Sequence, residues 1–175
     1  QQMNCMNSET RTELADAFTD LGKDSDIYII ILTGAPGKAF IAGADIKEFL
    51  ERDMNSQEAL EEDWIVTKVI SNLSKPVIAM IDGFCLGGGL EIAMACDLRI
   101  ASDRSKLGQP EINLGIIPGA GGTQRLTRLI GEGRAMEMIL TGRMITAKEA
   151  CNYGILNFIY SAEELETKTM EIANT

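Results

Sequence analysis

Histidine is absent from this sequence of 175 residues, and its cysteines form no C-x-x-C pair. The lack of histidine excludes Ser-His-Asp and Cys-His catalysis, His-rich zinc sites and histidine-ligated haem, so any catalysis must depend on other groups. The widely spaced cysteines, Cys5, Cys85, Cys96 and Cys151, lie mostly in apolar segments, as reduced buried thiols do. The sequence therefore predicts a reducing compartment, taken as the cytoplasm, and no metal site.

Long apolar runs and an excess of positive charge are also missing. No apolar run approaches the roughly 20 residues that a membrane-spanning helix requires, which predicts a soluble globular protein and no membrane partner. The formal net charge is −10. Such a charge repels polyanions, so no nucleic-acid partner is expected.

The two ends of the chain do not have the pattern of natural termini. Residues 1–4 show no basic or apolar signal region and none of the Arg-rich character of a transit peptide. The chain opens just before a helix and stops after one is under way, so we expect both ends to be trimmed, and a targeting segment could lie outside them. The length predicts a single domain over residues 1–175.

Helical and strand patterns alternate along the chain. Residues 8–21 have apolar positions at helical spacing, and residues 27–33 and 77–82 are β-branched runs typical of strands covered on both faces. An acidic helical stretch at 56–73 separates these strands, which is the spacing of a right-handed parallel crossover. An α/β architecture follows. Further helices are predicted at 121–130, 132–140, 146–152 and from 162, with strands at 97–101 and 156–160.

Two segments of small residues lie at expected helix starts, where backbone N–H groups have no partner within the helix. In residues 40–48 a loop leads into a capped helix, so the amides near Ala44 lack intrahelical partners and can bind a ligand. A simple helix N-cap at Asp45 is the alternative. In residues 83–93, Gly87, Gly88 and Gly89 open an apolar helix, where a carbonyl oxygen would meet converging N–H groups, as in an oxyanion hole. Tight packing of this helix on a strand is the alternative.

Two glutamates are the candidate acids. Glu91 follows the glycines among apolar neighbours, which leaves a surface position or a buried functional carboxylate, and we favour the second. Glu111 lies in residues 107–125, a long apolar stretch punctuated by glycine and proline, and such loops are uncommon unless they line a pocket. An exposed loop charge is the alternative for Glu111.

Together these segments resemble the crotonase superfamily. The matching patterns are A-G-A-D-I-K-E, G-x-x-L-G-G-G-x-E and G-Q-P-E-I-x-L-G-x-x-P-G-x-G-G-T-Q-R-L, and the similarity extends over essentially the whole chain. The resemblance implies a crotonase-like spiral of ββα units, coenzyme A thioester substrates, and trimers or paired trimers. It also implies a hairpin before Gln1 and C-terminal helices after Thr175 that this chain lacks.

The resemblance to the hydratase branch also implies roles for individual residues. The backbone amides of Ala44 and Gly88 would hold the thioester carbonyl, and Glu91 and Glu111 would act on the double bond, with the Gly119 backbone supporting Glu111. Substrate contacts are expected from Ala42, Gly43, Asp45, Ile46, Lys47, Gly87, Pro118 and Gly119. No separate cofactor is implied, because coenzyme A is part of the substrate. Since coenzyme A is polyanionic and the chain is acidic, its site must rest on local donors.

Hydration of an enoyl thioester needs a base for water, an acid for Cα and a site for the charge on the thioester oxygen. Burial and mutual repulsion can keep one of two carboxylates protonated while the other stays ionised. We assign water activation to Glu91 and proton delivery to Glu111.

Three other functions remain open at this point. An isomerase that converts 3-enoyl to 2-enoyl thioesters needs only one carboxylate, so the pair favours hydration. An RNA-binding relative has a lysine-rich helix, whereas the comparable helix at 51–63 is acidic here. A catalytically inactive structural subunit would not need the pair of glutamates.

Overall fold

The chain folds into two four-stranded β-sheets with helices packed around them. A computed structural model describes residues 3–35, 38–45, 48 and 57–175, with the backbone alone for residues 57–63. The strands are β1 (Ile30–Thr33), β2 (Ala39–Ile41), β3 (Val77–Ile81), β4 (Phe84–Leu86), β5 (Leu98–Ser102), β6 (Lys106–Gly108), β7 (Met144–Thr146) and β8 (Phe158–Tyr160). The α-helices are α1 (Ser8–Lys23), α2 (Gln57–Ser71), α3 (Gly88–Ala95), α4 (Gly122–Ile130), α5 (Glu132–Thr141), α6 (Ala147–Tyr153) and α7 (Leu165–Ala173), and a 3-10 helix spans Glu111–Leu114.

The strands β1 to β6 alternate between the two sheets along the chain: β1, β3 and β5 belong to one sheet, and β2, β4 and β6 belong to the other. The first sheet has the order β1-β3-β5-β8, and all of its pairs are parallel. The second has the order β2-β4-β6-β7, with only the last pair antiparallel. Each strand-strand-helix unit therefore adds one strand to each sheet before the chain returns, which is the predicted spiral of ββα units and confirms the α/β class.

Local capping explains where several helices begin. The Asn7 side chain accepts the N–H of Thr10 at 2.8 Å and caps α1, and Thr146 and Glu149 form a reciprocal capping box at α6. Such bonds satisfy first-turn amides that have no intrahelical partner. The predicted helices that fall within the described residues are confirmed, with ends that differ by a few residues.

The second sheet was not predicted from the sequence. Each of its four strands has only three residues and lies beside glycine-rich or loop-like sequence, so no alternating pattern could be read from it. The first sheet, by contrast, was predicted: two of its strands lie in the β-branched runs at 27–33 and 77–82, and shorter strands were expected at 97–101 and 156–160. It is buried on both faces: Val77, Ala79 and Ile81 face the main core, and Ile78 and Ile100 pack with Leu165 of α7.

The main core lies between the sheets and helices α1 to α6. Phe40, Leu90, Leu107 and Leu126 are completely buried there, so the short strands of the second sheet and the start of α3 are fixed by packing. None of the described helices has the length and apolar content that crossing a bilayer demands.

Candidate active site

A largely apolar cavity of about 880 Å³ lies where three strands of the second sheet end. Residues 42–44 follow β2, residues 87–88 follow β4, and Pro110 and Glu111 follow β6, and all of them line the cavity. Because β2, β4 and β6 are parallel neighbours, their carboxyl ends meet at one edge of the sheet. The sheet that the sequence did not predict is therefore the one that assembles the site.

The glycines at the start of α3 have different tasks. A Cβ at Gly89 would lie 2.2 Å from the carbonyl oxygen of Ile41, so α3 packs directly against β2 only because this residue is glycine. Gly87 has φ of 53°, a left-handed conformation that favours glycine. A Cβ at Gly88 would meet nothing within 4 Å. The tight-packing alternative thus holds for Gly89, whereas Gly88 faces open space in the cavity wall.

Among the described residues, neither the backbone N–H of Ala44 nor that of Gly88, both of which line the cavity, has a hydrogen-bond partner. The amides around Ala44 are used: Met6 N donates to Gly43 O at 2.9 Å, and Asp45 N donates to Met6 O at 2.9 Å. Alternate residues of an extended segment point their N–H groups to opposite sides, so the Ala44 amide points away from Met6. A Cβ at Gly87 would lie only 3.9 Å from Gly43 Cα. The two unpaired donors therefore belong to segments that touch.

Glu91 is a buried carboxylate in the first turn of α3, with 3% of its surface exposed. Its Oε1 accepts the backbone N–H groups of Ala120 and Gly122, each at 2.7 Å. Arg125 Nη1 in turn donates to Ala120 O at 3.0 Å and holds the chain there. The buried interpretation of Glu91 is confirmed, and both donors favour its charged form.

Glu111 begins the 3-10 helix and is partly buried. Burial raises the pKa of Glu111 to about 7; its own backbone N–H opposes the rise, and the charge of Glu91 adds to it. The interpretation of Glu111 as a freely exposed loop charge is wrong. This carboxyl can therefore be protonated near neutral pH, as an acid that delivers a proton must be.

Gln109 is a site residue that the sequence analysis missed. It is fully buried, and with its amide nitrogen turned toward Glu111 that nitrogen lies 2.6 Å from Oε1 and 3.0 Å from Oε2. A Cβ at Gly122 would lie 2.9 Å from both the Gln109 amide and Glu91 Oε1. The Gln109 amide therefore contacts the Glu111 carboxyl, and Gly122 lies close to both this amide and the Glu91 carboxylate. Its signal in the sequence was an amide next to Pro110 in an otherwise apolar stretch.

The other predicted contact residues divide into three groups. Five line the main cavity: Ala42, Gly43, Gly87, Pro118 and Gly119. Asp45 instead lines a neighbouring cavity of about 550 Å³, together with Cys5. Ile46 and Lys47 lie outside the described residues, as do residues 51–56 of the acidic stretch and the helix that Asp45 was expected to cap.

The predicted support of Glu111 by the Gly119 backbone is not seen among the described residues. No hydrogen bond joins the Gly119 backbone to Glu111 within the part of the chain that the structure describes, and the adjacent Ala120 amide holds Glu91 instead. Met6, Arg11, Trp64 and Ile92 also line the cavity and were not predicted. In the described ranges no group of three His, Cys, Asp or Glu side chains has an arrangement that could hold a metal ion.

Comparisons of the sequence with a family model and with known proteins all give enoyl-CoA hydratases or their family. The family model described as enoyl-CoA hydratase/isomerase matches residues 1–175. The short-chain-enoyl-CoA hydratase of Clostridium acetobutylicum is 46% identical over 175 residues, which cover 98% of this chain and 66% of the relative. The crotonyl-CoA hydratase of Syntrophomonas wolfei is 45% identical over 174 residues, again 98% of this chain and 66% of the relative.

A solved structure agrees with these sequence relatives. The enoyl-CoA hydratase of Bacillus anthracis superimposes with a TM-score of 0.93 at 45% identity, covering 99% of this chain and 67% of that one. The chain thus spans about two thirds of the length of the proteins it resembles.

Proposed function

Because this chain belongs to the enoyl-CoA hydratase/isomerase family, we propose that the protein containing it is an enoyl-CoA hydratase, a hydro-lyase. It adds water across the 2,3 double bond of a short-chain enoyl-CoA, and in reverse it dehydrates the 3-hydroxyacyl-CoA. The observation that carries this proposal is the pair of carboxylates, Glu91 and Glu111, on one apolar cavity beside two unpaired backbone N–H groups. The names of the relatives agree with it.

The thioester oxygen binds to the N–H groups of Ala44 and Gly88. Negative charge develops on this oxygen as water attacks C3, and donors that are already in place stabilise that charge without reorganising. Gly88 is also the first residue of α3, so the positive end of the helix dipole adds to the effect. This arrangement explains how an acidic protein can bind an anionic thioester, since the donors are local.

The two glutamates divide the proton transfers. Glu91, whose carboxylate accepts the backbone N–H groups of Ala120 and Gly122, takes a proton from water while the oxygen bonds to C3. Glu111, whose pKa is raised to about 7, gives its proton to C2, and the electron pair of the double bond forms the new C–H bond through the enolate. The cycle closes when the proton on Glu91 returns to Glu111. The reverse sequence dehydrates a 3-hydroxyacyl thioester.

The isomerase alternative needs one carboxylate to move a proton from C2 to C4. A second buried glutamate held by two backbone donors would have no task in that reaction, so the geometry favours hydration. Binding of RNA is disfavoured by the formal net charge of −10. We also propose no cofactor beyond the coenzyme A of the substrate, a cytoplasmic location, and assembly as a trimer or a dimer of trimers.

The test is hydration of crotonyl-CoA, followed by loss of the enoyl thioester absorbance, with a 3-enoyl-CoA of equal length in a parallel reaction. We expect hydration to be the faster reaction and to disappear in the double variant Glu91→Gln/Glu111→Gln. Isomerisation without hydration would replace the proposal by the alternative, and hydration unchanged in the double variant would reject the site.

A further inference from the structure

Arg125 is a half-buried cation on α4 to which the proposed reaction gives no task. It does not line the main cavity. Among the side chains that the structure describes, no carboxylate forms an ion pair with its guanidinium. Both terminal nitrogens instead donate to neutral oxygens, Nη1 to Ala120 O at 3.0 Å and Nη2 to Ser71 Oγ at 2.9 Å. Since Ser71 is the last residue of α2, Arg125 joins the end of that helix to the turn before α4.

The turn that Arg125 contacts is the one that binds Glu91. Residues 119–122 read Gly-Ala-Gly-Gly, so they have almost no side chains that could fix their conformation. Two N–H groups of this turn nevertheless converge on one oxygen, because Ala120 N and Gly122 N each lie 2.7 Å from Glu91 Oε1. Contacts from outside the turn are needed to keep these two donors aligned.

Arg125 contacts the turn at two points. Its backbone N–H donates to Gly121 O at 2.8 Å, and its side chain donates to Ala120 O. A Cβ at Gly121 would lie 2.0 Å from Arg125 Nη1, so the guanidinium lies directly against the backbone of the turn. The hydrogen bond to Ala120 O is only partly buried, and water could satisfy that carbonyl as well. Satisfying the carbonyl alone therefore gives no reason for an arginine.

The charge of Arg125 also interacts with that of Glu91. Burial lowers the pKa of Arg125, the charge of Glu91 raises it, and the neighbouring Arg128 lowers it. The attraction between the guanidinium and the carboxylate acts on both partners, so it also holds the Glu91 carboxylate toward the turn. Hydrogen bonding and charge thus have the same effect on Glu91.

We propose that Arg125 is a positioning residue: by joining the Gly-rich turn to α2 it fixes the two N–H groups that hold Glu91, and so sets the place from which this carboxylate activates water. The inference rests on the proposed hydratase function and deepens it. A misplacement of about 1 Å can lower a rate by about 10²-fold. Because Arg125 does not line the cavity, its effect on the reaction should pass through Glu91.

The experiment measures the single-turnover rate of crotonyl-CoA hydration, which reports the chemical step apart from binding and release. Arg125→Met removes the charge and both side-chain hydrogen bonds but keeps an apolar stem, and we expect the rate to fall about tenfold to 10²-fold. Affinity for the saturated thioester butyryl-CoA should stay within about threefold, since ground-state binding does not use Arg125. Arg128→Met removes the same charge at an exposed position of the same helix and should leave the rate unchanged.

A double-mutant cycle separates positioning of Glu91 from a general structural role. If Arg125 acts through Glu91, adding Arg125→Met to Glu91→Gln should change the rate by less than about twofold. A merely structural role would lower the rate by the same factor in both backgrounds, and this result would overturn the inference. An unchanged rate in a folded Arg125→Met, with circular dichroism matching the wild type, would overturn it too.

Arg125→Lys keeps the test decisive if Arg125→Met does not fold. Lysine retains the charge but lacks the planar fork that reaches two acceptors at once, so we expect a smaller loss of about threefold, again absent in the Glu91→Gln background. In that case a folded Arg125→Lys with the full rate, or with an equal loss in both backgrounds, would overturn the inference. A Glu91→Gln variant with the wild-type rate would instead refute the role of Glu91 in the proposed function, and the inference with it.

Discussion

Glu91 and Glu111 line one cavity but are held in different ways. Glu91 is fixed by two backbone N–H groups at 2.7 Å, contributed by the turn before α4. Glu111 is held by the side-chain amide of Gln109, and burial raises its pKa to about 7. The same residue type therefore has two different environments: backbone N–H donors around Glu91 and a side-chain amide beside Glu111. The difference shows how a site without histidine can hold both a base and an acid near neutral pH.

The largest effects are expected when each of the two acids is replaced alone, which tests whether Glu91 and Glu111 have separate roles. Glu91→Gln and Glu111→Gln should each lower kcat by at least about 10²-fold, because each group transfers a proton that the other cannot. The double variant should be little worse than the more damaging single variant, since the pair acts as a unit. Steady-state kinetics with crotonyl-CoA measure this. Affinity for the saturated thioester is the control and should stay within about threefold; a near-normal kcat in either variant would exclude its role.

A second prediction leaves both acids and removes one donor from the oxyanion site. Gly88 is the first residue of α3, a position where proline fits a helix, so Gly88→Pro deletes an N–H with little disturbance. We expect kcat to fall about 10²- to 10³-fold. Glu132→Pro, at the first residue of α5, is the matched control and should leave kcat unchanged. Circular dichroism must match the wild type in both, and a rapid, folded Gly88→Pro would contradict the oxyanion assignment.

A third prediction disturbs the support of Glu91 without changing the acid. A Cβ at Gly122 would lie 2.8 Å from Pro118 Cβ and 2.9 Å from Glu91 Oε1, so Gly122→Ala must push the carboxylate from its donors. We expect kcat for crotonyl-CoA hydration to fall roughly tenfold or more. Gly133→Ala adds the same methyl where nothing lies within 4 Å, and it should retain full activity. If kcat is the same in Gly122→Ala and Gly133→Ala, the exact position of the Glu91 carboxylate is not critical for the reaction.

The smallest effect expected is a change in pH dependence that reports on Glu111. The proton donor must be protonated, and its pKa is raised to about 7, so kcat/KM should fall tenfold per pH unit above this value. The Gln109 amide donates to the charged carboxylate, so Gln109→Met removes a group that lowers the pKa of Glu111. The pH above which kcat/KM falls should then be higher than in the wild type. Gln124→Met, at an exposed position on α4, is the control and should leave the pH dependence of kcat/KM unchanged. If Gln109→Met also leaves it unchanged, the pH dependence belongs to a group other than Glu111.

The site residues that could be predicted were those with a distinctive sequence pattern. Glu91 was expected to be buried because its neighbours are apolar, and the amides of Ala44 and Gly88 were expected to be free because they stand at or near helix starts. The donors to Glu91 were missed, since backbone N–H groups of a loop carry no signal in residue type. Gln109 was missed because its side chain matters only through the carboxyl of Glu111 that lies beside it.

By itself, the sequence determined the helices, the strands of the first sheet and the two acids, because periodic burial and isolated charges in apolar runs are local properties. Only the tertiary structure decided the second sheet, whose three-residue strands are stabilised by their neighbours and not by their own propensity. That sheet brings residues 42–44, 87–88 and 109–111 to one edge. The raised pKa of Glu111 was also decided by the tertiary structure, because desolvation depends on which distant segments surround a group.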